Sequence, residues 1–275
     1  MRIAQFYQDN QVRLGIIQNQ EHLTPIDFQG DMIDFIVTAP EWNPAGRPIP
    51  MEEVSWAPPL SRPPKILAIG LNYHAHIEEG NEKIPKTPII FSKLLSSLTG
   101  HKSDITWNPT LTSKVDYEAE LAVIIGKKAY DVPEREVMDI IFGYACANDV
   151  SARNLQFGDG QWLRGKSLDT FCPLGPWIVT RDEIPDPHAL EIKSWLNGEL
   201  MQHSNTGRMI FKISALLSFI SKCFTLTPGD VILTGTPEGV GAFRDPPVFM
   251  KEGDEIIIDI EAIGKLENRC RTVKR

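Results

Sequence analysis

Short apolar runs dominate this chain, and long helical periods are scarce. Residues 2–7, 12–17 and 22–26 each read as a strand, separated by the turn-forming pairs Asp9-Asn10 and Asn19-Gln20. Together they predict a small N-terminal β-meander. Prolines at 44, 48, 50, 58, 59, 63 and 64 exclude a central strand or helix there and mark an extended connector. Beyond it, residues 65–70 read as a buried strand and residues 72–82 as a short helix or loop. Asp131-Val132-Pro133-Glu134 combines an N-cap, an early proline and a capping-box acid, which predicts an α-helix to about Ile141. Met209, Ile210, Ile213, Leu216, Leu217 and Ile220 follow the i, i+3, i+4, i+7 spacing of an amphipathic helix. Residues 231–234, 255–260 and 266–273 return to strands, each after a glycine-containing turn. The pattern predicts an α+β, β-rich chain. Residues 1–62 form a small N-terminal β-rich domain with a proline-rich connector, and residues 63–275 a larger second domain.

One strand carries chemistry at its entrance. Tyr117-Glu118-Ala119-Glu120 places two carboxylates at i, i+2, on one face of a strand, and Leu121-Ala122-Val123-Ile124-Ile125-Gly126 continues it as an apolar run covered on both faces. An E-x-E pair alone is most often solvent-facing. Acids entering a buried strand are costly unless paired or metal-bound, so here the continuation favours a site. Asp149, at the end of the apolar run 142–148, supplies a third oxygen donor. It also sits where Asn148-Asp149-Val150-Ser151 resembles a helix start. Three carboxylates with no histidine among them suit Mg²⁺ or Mn²⁺ better than Zn²⁺.

Composition narrows the partners. With 275 residues the chain can bury a substantial core. A formal net charge of -8 argues against nucleic acid or an anionic membrane as the main partner, while leaving room for a small anionic substrate. No apolar stretch reaches membrane-spanning length, and the first residues read as a strand in place of a signal peptide, so the expected location is cytoplasmic. Cys146, Cys172, Cys223 and Cys270 form no C-x-x-C pair and read as reduced structural thiols, with Cys172 nearest the other candidate residues.

Further polar segments punctuated by glycine or proline read as site loops: residues 70–79, 151–156, 164–176 and 234–241. In order and spacing, these four and the 117–126 strand resemble the fumarylacetoacetate hydrolase family over residues 64–275. The resemblance implies a mixed β-sandwich roll binding one divalent cation, Mg²⁺ or Mn²⁺, per subunit. It also implies action on a small anionic 2-oxo acid, as a homodimer. Its metal ligands match Glu118, Glu120 and Asp149, and its lysine matches Lys166. Its substrate-contacting residues match Arg153, Gln156 and Thr236, with Tyr73 beside them. A His–Glu dyad on a mobile segment matches His76 and Glu79, with His74 and Glu78 as alternatives one register away.

The residues themselves make this chemistry coherent. A 2,4-dioxo acid chelates a divalent cation through a carboxylate oxygen and its 2-oxo oxygen, and cleavage between C3 and C4 expels a pyruvate enolate whose charge the cation stabilises. Lys166 adds positive charge there. An imidazole, with an ordinary pKa near neutrality, suits His76 as the base that activates water, oriented by Glu79. The leading expectation is C–C bond hydrolysis of an acylpyruvate. The same site also suits oxaloacetate decarboxylation or tautomerisation, hydroxymuconate-type isomerisation, or turnover of dioxo sugar acids. A catalytically silent ligand-binding protein is the remaining alternative. Residues 71–84, bracketed by Gly70 and Gly80, are expected to form a lid with little core contact.

Overall fold

A computed structural model describes residues 1–19 and 21–274, so Gln20 of the second expected turn and Arg275 lie outside the described residues. Strands Arg2–Gln8, Gln11–Asn19 and His22–Pro25 form the expected antiparallel meander. Asp9 and Asn10 both adopt positive φ, 50° and 60°, as a two-residue hairpin turn that matches strand twist requires.

The described residues build two large sheets and a two-stranded antiparallel ribbon in which Val115–Asp116 pairs with Ser151–Ala152. In the eleven-stranded one, Arg2–Gln8 pairs with Cys172–Thr180, and the order then runs through Ile141–Asn148, Ala119–Ile125, Val231–Leu233, Ile66–Gly70 and Ile89–Ser92. The N-terminal strands therefore extend the same sheet that carries the acidic strand. Val231–Leu233 and Ile66–Gly70 pair in parallel while their neighbours are antiparallel, so the sheet is mixed. The second sheet orders Glu199–Asn205, Glu191–Leu196, Glu255–Ile260, Gly264–Thr272 and Asp104–Trp107. Ile192 and Leu196 alternate with more exposed neighbours, as do Ile256, Ile258 and Ile260, the mark of a sheet buried on one face.

Ala119–Ile125 is buried at every position, as its unbroken apolar run predicts. Leu121, Val123 and Ile125 join the core shared with the second sheet. Ala122 and Ile124 face a separate core completed by Met32, Phe35 and Ile36. Those three belong to a helix, Met32–Thr38, capped by Asp31 and Asp34 in a reciprocal box, that the strand-dominated reading of the first residues passes over. The connector is largely irregular and is pinned by the fully buried Gln5, whose amide donates to Pro58 O and Ser61 Oγ.

Two helix expectations change. Residues 134–140 form a 3₁₀ helix, not an α-helix; Asp131 sits at φ 48° and caps nothing. The amphipathic helix starts at Ile213, not Met209, and runs to Cys223. Met209 instead bridges to Tyr73, and Ile210 N–H donates to Asn72 O, which ties this segment to the expected lid. Cys146, Cys172 and Cys270 are buried free thiols, and Cys223 is exposed. Among the described residues no helix is long and apolar enough to cross a membrane.

Candidate metal centre and active site

Strand pairing assembles the acidic cluster. Glu120 lies opposite Ala147 and Ala119 opposite Asn148, so the next residues outward, Glu118 and Asp149, meet across the strand ends; Asp149 N–H donates to Glu118 O. One carboxylate oxygen each from Glu118, Glu120 and Asp149 lies within 4.8 Å of the others, and all three side chains are buried. The three carboxylates expected to meet do converge.

Cations surround two of the three acids. Lys166 Nζ donates to Glu118 Oε2 (2.5 Å) and Asp149 Oδ2 (2.8 Å). It arrives there because the helical turn Leu163–Lys166 packs hard on Arg153–Gly158: a Cβ on Gly165 would stand 2.5 Å from Gln156 N. Arg153 Nε donates to Asp116 Oδ2 (2.8 Å), and Nη1 contacts Gln156 Oε1 (2.9 Å) and Glu118 Oε1 (2.7 Å). Its Nη2 is buried with no partner. Lys93 Nζ donates to Asp149 Oδ1. Lys93 and Asp116 complete the cluster, and the sequence reading contains neither.

These pairings sort the ionisations. Burial raises the Glu118 carboxyl, but Lys166 and then Arg153 outweigh it and hold it at about 2. Burial pulls the Lys166 ammonium down, and Asp149 and Glu118 more than restore it. Burial likewise lowers the Arg153 guanidinium, outweighed by Asp116 and Glu118. Glu120 differs: burial, then the Asp149 and Glu118 charges, push it well above the usual carboxylate range. Its partner is a backbone N–H, Gly235, at 2.7 Å. Gly235 holds φ 97°, and a Cβ there would meet Asn72 Cβ at 2.7 Å, so only glycine presents that N–H.

The donor set fits a hard divalent cation. Four buried carboxylates, Asp116, Glu118, Glu120 and Asp149, face three cations, Lys93, Lys166 and Arg153, and Glu120 is the acid without one. A divalent ion among oxygens so spaced would discharge that excess and leave the cluster net positive toward an anionic ligand.

A cavity of about 230 Å³ opens onto the cluster, lined at depth by Glu118, Glu120, Asp149, Lys166, Arg153 and Gln156. Thr236 joins them, its hydroxyl accepting from Gln202 Nε2 (2.8 Å). Apolar side chains line much of the rest, among them Ile69, Ile89, Phe91, Phe157 and Trp162, and Phe91 and Trp162 meet edge to face at 5.3 Å. A larger cleft of about 360 Å³, between Trp56, His101 and Trp177, lies elsewhere and lacks such a cluster.

His76 lines the cavity from the helix His74–Glu79, 6 % exposed. Its Nδ1 meets Glu79 Oε1 at 2.8 Å, while Glu79 Oε2 accepts Gly239 N–H at 2.8 Å. His74, the alternative one register away, is exposed. Tyr73 is placed differently from the others: its hydroxyl is buried without a partner, and the residue does not line the cavity. Burial, then Glu120 and Glu238, raise that phenol, so it stays protonated. The cavity thus unites Glu118, Glu120, Asp149, Lys166, Arg153, Gln156, Thr236 and His76, with Glu79 behind His76.

This fold and site define an enzyme of the fumarylacetoacetate hydrolase family, and the chain belongs to that family. Residues 65–271 match the model described as fumarylacetoacetate (FAA) hydrolase, C-terminal, and residues 1–59 the one described as Rv2993c-like, N-terminal. Over 222 residues, 80% of this chain and 71% of the relative, it is 49% identical to the rat protein named oxaloacetate tautomerase Fahd2a, mitochondrial. The structure named 5-carboxymethyl-2-hydroxymuconate delta-isomerase from Mycobacterium smegmatis matches with TM-score 0.84 and 36% identity, covering 99% of this chain and all of that one. A fumarylacetoacetate hydrolase from Exiguobacterium antarcticum matches with TM-score 0.89, 36% identity and the same coverage.

Proposed function

We propose that the chain is a divalent-cation-dependent tautomerase that interconverts the keto and enol forms of a 2-oxo acid of the oxaloacetate class. The observation that carries this reading is one proton-transfer dyad, His76–Glu79, set on the same small cavity as the carboxylate triad. The 49% identity to a protein named oxaloacetate tautomerase supports it. Tautomerisation asks for no more: a proton leaves C3 and one arrives on the 2-oxo oxygen, or the reverse. Hydrolysis would further require a held water and a protonated carbon leaving group.

With Nδ1–H donated to Glu79, His76 presents a bare Nε2, the form that can accept the C3 proton and return it. Gly239 N–H holds Glu79 and with it the ring's orientation. Arg153, through Nη2, is the anchor for a substrate carboxylate, and Lys166 keeps the field at the oxygen end positive. Gln156 and Thr236 complete the substrate contacts; Tyr73, outside the cavity lining, is not among them. A cation bound by Glu118, Glu120 and Asp149, Mg²⁺ or Mn²⁺, would supply Lewis-acid stabilisation of the charge developing on the 2-oxo oxygen. A homodimer belongs to the proposal: exposed Leu94 and Leu111 line a surface groove with Trp107 and Leu168 that a second copy would cover.

The apolar part of the lining favours a second reading, hydrolysis of an acylpyruvate whose hydrocarbon tail would lie on Phe91 and Trp162. Parallel assays of enol-oxaloacetate ketonisation and acetylpyruvate cleavage, each with Mg²⁺, decide between them. Ketonisation should dominate, and His76→Ala should lose about 10²- to 10⁴-fold in kcat while keeping oxalate affinity. Faster acetylpyruvate cleavage would make hydrolysis the function.

A further inference from the structure

We infer that Asp116 is a positioning residue that fixes the anion-binding half of the cavity and its proton-transfer half in register. The inference rests on reading this cavity as the reaction site. Asp116 is fully buried and lies two residues before Glu118, yet it does not line the cavity.

Its two oxygens accept four N–H groups. Oδ1 takes Tyr117 N–H (2.9 Å) and Gly241 N–H (2.8 Å); Oδ2 takes Arg153 Nε (2.8 Å) and Ala242 N–H (2.9 Å). Every partner is a donor, so the position calls for a group that only accepts, an ionised carboxylate. Asparagine would turn one oxygen into an NH₂ facing two donors.

The four bonds lead in two directions. Through Arg153 Nε, Asp116 fixes the guanidinium whose Nη1 holds Glu118 and Gln156 and whose Nη2 is left for a ligand. Through Gly241 and Ala242 it holds the 3₁₀ turn Gly241–Phe243. That turn carries Phe243, whose ring lies 5.8 Å from the His76 ring. The same segment begins at Gly239, whose N–H orients Glu79 and whose carbonyl accepts Tyr117 Oη at 3.2 Å. Gly241 is packed so tightly that a Cβ would stand 1.8 Å from Val248 O, so the turn has little freedom apart from its anchor. One carboxylate therefore connects the arginine that binds anion with the loop that seats the base. Tyr117 Oη to Gly239 O is a second, single bond between the halves, whereas Asp116 joins them through both carboxylate oxygens, so their register leans on it.

Asp116→Asn tests this with readouts that do not require turnover. In the metal-free protein, the His76 ring ¹H–¹⁵N resonances should shift as Phe243 moves and its ring current changes. With Mg²⁺ present, oxalate affinity should fall by 10-fold or more, and kcat should fall beyond the KM change. Arg153→Lys should reduce oxalate affinity without moving the His76 resonances, and Phe243→Leu should do the reverse. Asp116→Asn should be less than additive with each. If it does not fold, Ala242→Pro serves in its place: it deletes one donor to Oδ2, leaves the carboxylate, and should shift His76 while sparing oxalate affinity. A folded Asp116→Asn with wild-type oxalate affinity and unmoved His76 resonances overturns the inference, as does an Ala242→Pro that leaves His76 unmoved. Loss of both readouts only in proportion to unfolded protein, followed by thermal melting, would assign Asp116 a merely structural role and also overturn it. Absence of tautomerase activity in the wild type would instead count against the functional reading and leave these binding and spectroscopic results interpretable.

Discussion

Lys93 and Asp149 form an ion pair in which both side chains are fully closed to solvent. Such a pair is weak evidence for stability as a pair, yet removing one partner strands the other charge, at a cost of about 3–5 kcal/mol. Lys93→Met is therefore expected to lower the metal-free unfolding free energy by about 3 kcal/mol, the lower figure because Lys166 still reaches Asp149. Mg²⁺ at about 100 times its Kd should return about 2.7 kcal/mol if the site still binds it. Urea unfolding with and without Mg²⁺ measures both. An unchanged metal-free midpoint would show that the pair contributes nothing.

Glu120 is the acid that the cations leave unmatched. Glu120→Gln keeps an oxygen for Gly235 N–H and mimics the protonated carboxyl that burial and the neighbouring acids favour. The metal-free variant should melt at or above the wild-type temperature, because the neutral amide avoids the cost of holding a buried carboxyl protonated beside Asp149 and Glu118. The Mg²⁺-dependent rise in Tm, expected for the wild type, should vanish. A variant with a full Mg²⁺-dependent rise would remove Glu120 from the ligand set.

How much of this was readable in advance follows from what each signal depends on. The triad was legible because i, i+2 spacing is local and because apolar runs flank both Glu120 and Asp149. Lys166 and the His76–Glu79 pair were legible by resemblance to family motifs. Lys93 and Asp116 were not. Each looks like an ordinary strand-end charge, and its partners lie 56 and 37 residues away, brought close only by a strand order that departs from chain order. The 3₁₀ helix carried a usable clue: its buried Val137 and Ile140 are three apart, which fits three residues per turn as well as 3.6. The helix Met32–Thr38 also announced itself, through Asp31 and Asp34 around Met32, Phe35 and Ile36.

His101 gives the fold a pH dependence remote from the acidic cluster. It is 8 % exposed, its Nδ1 accepts Glu267 N–H at 3.0 Å, and burial, then Lys102, lower it from 6.5 to about 4. The folded state thus prefers the neutral ring, while the unfolded chain binds a proton from about pH 6.5 downward. The stabilisation is complete above that pH and is lost as pH falls through 4, in total on the order of 3 kcal/mol. Between pH 7.5 and 4, wild-type stability should therefore drop more steeply than that of His101→Asn. Parallel acid limbs in urea unfolding of the two proteins would contradict this.

The expected lid is narrower than residues 71–84. Asn72 is fully buried, its amide donating to Phe211 O and Thr234 O, and Tyr73, His76 and Ile77 are buried beside it. Neither bracketing glycine uses a conformation closed to other residues: Gly80 has φ -81°, and Gly70 is glycine because a Cβ would stand 2.2 Å from the Trp162 ring. Motion is instead favoured past Glu82, whose N–H still donates to Ile77 O and which lines the cavity, through Ile84, an apolar side chain 56 % exposed. Closure over a ligand would bury Ile84. Hydrogen exchange should accordingly slow on adding oxalate with Mg²⁺ at residues 83–87 and change little across the buried residues of 72–77. Ile84→Asp should raise KM several-fold with little effect on Mg²⁺ affinity. Equal protection across 71–84 would restore the longer lid, and none anywhere in it would mean the cavity works open.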